Sequence, residues 1–267
     1  MRSKLLTLGI IFALTHSWAK DVGSTESGSK TSVLIPGGKY IPFFSPDTSK
    51  NKLNETNKKP IEVHSFWIDR VPVTNRDYLK FIRGHPDWRK SHVKQVFSDP
   101  HYLENWSTDL RLRNAREWDG PATHVSWFAA QAYCEWLGKE LPSTDQWEYA
   151  LYDQGRNQDQ VRDRILKWYG NPNQKLLSPV RHTSQNGFGI SDLVGVIWEW
   201  TLDFNSFMAS PEARDSTGDK NLFCGGGSEG ARNTSDYATF MRYSFRSSLK
   251  AAYSTSNLGF RCAKEVP

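Results

Sequence analysis

Apolar positions recur with a helical period most clearly after Ser126, where Ala129, Ala132, Tyr133, Trp136 and Leu137 fall three and four residues apart. Ser126 stands where an N-cap is needed and Gly138 where the chain must leave the helix, so the spacing predicts a helix ending near Leu137. Cys134 lies one position from that stripe. A second helix is predicted from Ser143-Thr144-Asp145-Gln146, which has the serine-to-glutamine spacing of a capping box. It runs through Trp147, Tyr149, Ala150 and Leu151 and stops by Gly155. Further upstream, Tyr78, Leu79 and Ile82 share one face of a short helix capped by Thr74 or Asn75.

Strand signals are shorter. Residues 35–44 read as a Pro-Gly-Gly turn feeding a first strand, and residues 63–70 (VHSFWIDR) as a second. Residues 85–120 are polar and aromatic without a period, which predicts a long surface insertion with about one helical turn. From Trp168 onward glycine, asparagine, serine and aromatic residues dominate, and only short strands and turns are predicted. No internal repeat interrupts the pattern, so residues 32–264 are assigned to one domain.

The N-terminus changes the picture by setting a compartment. Residues 1–4 are basic, residues 5–14 apolar, and Ser17 and Ala19 are the small residues a signal peptidase reads. Residues 1–19 are therefore read as a signal peptide and residues 20–31, rich in serine and glycine, as a flexible lead-in. The apolar run is shorter than the roughly 20 residues of a membrane span, and no other segment offers one. The expected location is periplasmic or secreted. Net charge is +5, or +3 without Arg2 and Lys4, too mild and too interspersed to predict nucleic-acid binding. The 11 Trp, 10 Tyr and 14 Phe alongside 19 Gly suit a turn-rich domain pinned by aromatic anchors better than a helical bundle or a parallel sheet.

Candidate chemistry is sparse. Cys134, Cys224 and Cys262 make one disulfide pair and one odd thiol in an oxidising compartment, and spacing alone does not choose the pair. Asp192 and Glu199 offer hard carboxylate oxygens, with Gly195 between them free to turn carbonyls inward, as an oxygen-rich calcium site requires. On spacing alone, a strand with tryptophan inward and Glu199 in water is the simpler account. His85, His92 and His101 share no helix face and read as loop histidines. Asn54, Asn105 and Asn233 head glycosylation sequons.

Six blocks in order carry a resemblance. They are IPGGKY at 35–40, FWIDRVPVTNRDYLKFI at 66–82, PATHVSWFAAQAYCEWLGKELPSTDQWEYA at 121–150, NGFGISDLVGVIWEWT at 186–201, GGGS at 225–228 and SNLGFRC at 256–262. Together they resemble the formylglycine-generating enzyme, or sulfatase-modifying factor, family, with Pro72 and Val196 as departures from its usual Glu and Asn. The resemblance implies an α+β fold that is a C-type-lectin-like variant with little regular secondary structure. It implies a disulfide between Cys134 and Cys262, leaving Cys224 odd, and a substrate groove at Trp198, Ser228 and Arg242. It also implies one structural Ca²⁺ held by the Asp192 and Glu199 side chains and the Gly195 and Ile197 carbonyls; the family's other calcium loop is shortened here.

Members that convert a substrate cysteine to formylglycine bind Cu(I) through two cysteines whose positions fall near Asn233 and at Ala238 in this chain. Neither is cysteine, and hard ligands do not replace soft thiolates, so copper is not expected. The resulting expectation is a non-catalytic binding or accessory protein for a protein, peptide or glycan. The second class is a divergent oxidoreductase, in formylglycine generation or peptide-pigment maturation, with an unidentified cofactor.

Overall fold

The computed structural model describes residues 31–41, 60–156, 158–169, 177–205, 242, 245–246 and 248–266. Strand β1 (Ser32–Ile35) and strand β2 (Gly38–Tyr40) flank the Pro36-Gly37 turn, so a strand precedes the turn as well as following it. Strand β3 (Ile61–Val63) pairs antiparallel with β2, and strand β4 (Phe66–Asp69) pairs antiparallel with β1. The single strand expected over 63–70 is thus two, because the chain changes sheets at His64-Ser65. Phe66 and Ile68 point into the core and Trp67 outward, the period-two pattern of a sheet covered on one face. The C-terminal strand β9 (Ala263–Glu265) pairs with the other edge of β4, giving the order β1-β4-β9 and tying the two ends of the domain together.

Helix α1 (Asn75–Gly84) is capped by Thr74, whose hydroxyl accepts from the Asp77 amide, and buries Tyr78, Leu79 and Ile82. Helix α2 (Trp127–Trp136) starts at Ser126, whose Oγ accepts the Ala129 amide. Its buried face is Ala129, Ala130, Tyr133 and Cys134, while Trp136 and Leu137 are exposed. Cys134 is therefore inside the stripe rather than beside it. The helix stops at Gly138, which adopts φ +67°, a conformation that costs an L side chain about 1 kcal/mol or more. Helix α3 (Thr144–Tyr152) has the reciprocal capping box of Ser143 and Gln146.

Two expectations need correction. Residues 85–120 are not confined to the surface: Tyr102, Leu103, Trp106 and Leu112 lie in the main core, with Trp106 fully buried. The segment folds as a 3₁₀ turn (Pro86–Trp88) and a hairpin of β5 (Trp106–Thr108) with β6 (Arg111–Leu112). It is stitched to the body by the Leu103 amide donating to the His124 carbonyl and by the Asp99 amide donating to the Ala252 carbonyl. The aromatic residues that broke the period are the ones that bury. Helix α4 (Gln158–Tyr169) lies where no helix was expected, since its apolar positions Val161, Ile165 and Trp168 are diluted by charge.

Strand β7 (Trp198–Glu199) pairs parallel with β8 (Leu258–Gly259). Cys134 and Cys262, both fully buried, are joined in a disulfide with Cα atoms 5.5 Å apart, linking α2 to the approach to β9. Among the described residues no helix is long and apolar enough to cross a membrane.

Candidate functional site

Helix α3 presents a run from Gln146 to Leu151 that is buried throughout, so Trp147 and Glu148 must satisfy their polar atoms inside the protein. Glu148 does so with two arginines one helical turn apart. Arg242 Nε and Nη2 reach its two oxygens at 3.3 and 3.1 Å, and Arg246 Nη1 reaches Oε1 at 2.6 Å. All three side chains are buried. Burial would push the Glu148 carboxyl up, but the charges and hydrogen bonds of Arg242 and Arg246 outweigh it and hold the group below the usual carboxylate range. The Arg246 guanidinium also lies over the Trp147 ring, 4.7 Å from its centroid.

Beside this cluster lies a second. Glu199, 4% exposed, accepts from Trp147 Nε1 at 2.8 Å and from Arg261 Nε at 2.7 Å on Oε2, and from Arg261 Nη2 at 2.8 Å on Oε1. Arg261 is fully buried and donates onward to the carbonyls of Asp69 and Ser191, both at 3.0 Å. Trp198, the neighbour of Glu199, points the other way and is half-buried. It stacks on Phe245 with centroids 4.2 Å apart and leans on Trp168 at 4.9 Å. Trp147, Trp168, Trp198, Glu199, Arg242 and Arg246 border one cleft, whose free space of about 10 Å³ is the size of about one water molecule.

Of the expected groove residues, the structure brings Trp198 and Arg242 to this cleft, and Arg242 is ion-paired with Glu148 there. Ser228, Asn233, Ala238 and Cys224 lie outside the described residues. His85 stacks on Phe81, His92 sits by Asp109 and His101 by Glu104, so the three histidines do not converge. In the Asn105 sequon the asparagine side-chain oxygen is buried, while Asn105 as a whole is partly exposed and Ser107 is exposed.

The calcium set expected at Asp192, Gly195, Ile197 and Glu199 does not fit the arrangement found. Gly195 has the predicted turn conformation, φ +95°, and Ile197 is buried. Both oxygens of Glu199, however, are held by N–H donors, chiefly a guanidinium. Both oxygens of Asp192 accept backbone amides, those of Arg181 at 2.5 Å and Thr183 at 2.7 Å. Each carboxylate is thus satisfied separately, with no oxygen of either left without a donor.

Arg261, Glu148 and Trp147 were missed as site residues. A legible signal existed for the partners of Glu148: two arginines, Arg242 and Arg246, spaced i, i+4 elsewhere in the chain.

Short strands, long loops held by side-chain bonds, and a helix joined by a disulfide to the approach to the last strand make an α+β fold with little regular secondary structure. Residues 19–266 match the family described as the Sulfatase-modifying factor enzyme 1-like domain, and the chain belongs to that family. It is 28% identical to the Inactive C-alpha-formylglycine-generating enzyme 2 of Bos taurus, over 98% of this chain and 95% of that one. It is 26% identical to the Formylglycine-generating enzyme of Mus musculus, over 87% and 74%. The solved structure of PvdO from Pseudomonas aeruginosa aligns with a TM-score of 0.47 and 15% identity, over 88% of this chain and 94% of that one.

Proposed function

We propose that this chain is an exported protein of the formylglycine-generating-enzyme fold that does not oxidise cysteine through copper and instead serves as a binding or accessory protein. One observation carries the reading. The sequence has three cysteines, and Cys134 and Cys262 are joined to each other, so a single thiol, Cys224, is left for chemistry. Two-coordinate Cu(I) takes paired thiolates, and one sulfur donor does not supply them. Similarity over nearly its whole length to a relative whose name begins "Inactive" supports the same reading. The half-buried shelf of Trp168, Trp198 and Phe245 offers the aromatic faces on which a peptide or a sugar packs. Export rests on the basic, apolar and small-residue pattern of residues 1–19.

Copper binding tests the proposal directly. Titration of the mature protein with Cu(I) against the competing chelator bicinchoninate is expected to leave the copper with the chelator. Stoichiometric Cu(I) retained by the protein, and lost on Cys224→Ala, would overturn the reading.

A further inference from the structure

We infer that the guanidinium of Arg261 is the resident cation of the Glu199 site, and that the fold is held there by this side chain in place of a metal ion. Family resemblance assigns calcium to Glu199, and calcium gathers carboxylate and backbone carbonyl oxygens. Oxygens of those two types are gathered in the structure, but around Arg261. Its Nε and Nη2 form a two-pronged bond to both oxygens of Glu199, Nη2 also donates to the Ser191 carbonyl, and Nη1 donates to the Asp69 carbonyl. The planar fork of arginine suits this set of carboxylate and carbonyl oxygens.

Electrostatics argues the same way. Arg261 and Glu199 both have side chains closed to solvent, so their attraction acts at low effective dielectric. A divalent ion on either oxygen of Glu199 would meet the guanidinium across a few ångströms in a site closed to solvent, where like-charge repulsion is poorly screened. Trp147 Nε1 supplies the remaining donor to Oε2, so Glu199 is saturated on that oxygen. The other expected carboxylate, Asp192, is turned to the amides of Arg181 and Thr183. The arginine does more than neutralise one acid: it joins the end of β4, the loop at Ser191, β7 and the link between β8 and β9.

The test is a thermal melt of the full mature protein in EGTA and in excess calcium chloride, with metal analysis of the dialysed protein. Identical melting temperatures and no stoichiometric calcium are expected. Arg261→Met is expected to melt well below the parent in both buffers, and Arg261→Lys to recover part of the loss because it keeps the charge but not the fork. A parent melt lowered by EGTA, one calcium retained per chain, or an Arg261→Met variant that melts like the parent would each overturn the inference. If Arg261→Met fails to fold, the parent melts and the metal analysis still decide.

Discussion

Replacing Cys134 and Cys262 together by alanine is expected to destabilise the protein by about 5 kcal/mol. The bridge spans a sequence separation of 128, and in the chain-entropy account a loop of that length sits near the upper end of what a disulfide contributes. Both sulfurs are buried, so the native state has no solvent-exposed cross-link to trade away. The bridge fixes α2 to the approach to β9, the strand that closes the three-stranded sheet. For a domain of this size such a loss corresponds to a fall in Tm on the order of 15 °C. Denaturant titration of the double variant measures it, and a change below about 1 kcal/mol would mean that the unfolded chain gains little freedom when the link is cut. The same experiment counts thiols: the denatured, unreduced parent should label at a single cysteine, Cys224.

Glu148→Gln is expected to lower stability by about 4 kcal/mol, because it strands two buried guanidinium groups in a site closed to solvent. The variant keeps the side-chain shape and removes only the charge that Arg242 and Arg246 share. A loss under about 1 kcal/mol would show that water reaches the arginines and satisfies them. The pH dependence has a defined sign. The folded Glu148 carboxyl lies below its unfolded value, so its stabilisation is fully present above the unfolded value of about 4.3 and is lost as pH falls through the folded one. The parent should therefore lose stability below about pH 4 more steeply than Glu148→Gln does. Parallel acid limbs would contradict the assignment.

The sequence made the helices legible where the caps are explicit. Thr74, Ser126 and the Ser143–Gln146 box each start a helix, and Gly138 ends one. Those signals are local and need no tertiary partner. What escaped was decided by distant packing. Trp106 and Tyr102 sit in an aperiodic segment and bury only because the segment folds back over α1 and α2. Helix α4 carries charged side chains at five of its twelve positions and buries mainly Ile165. At the site, Trp198 and the Glu199 carboxylate could be picked out from their block, but not that Glu199 would be claimed by Arg261, 62 residues away in sequence. Residue type shows which groups can bond, while the choice between a bound ion and an internal arginine depends on which of them the fold brings within reach.

Whether chemistry has left this scaffold is settled most directly by incubating the mature protein with Cu(I), oxygen and a peptide containing Cys-x-Pro-x-Arg, then weighing the peptide. The expected result is a peptide of unchanged mass that does not react with an aldehyde-specific hydrazide. Multiple-turnover conversion of its cysteine to the aldehyde would contradict the account.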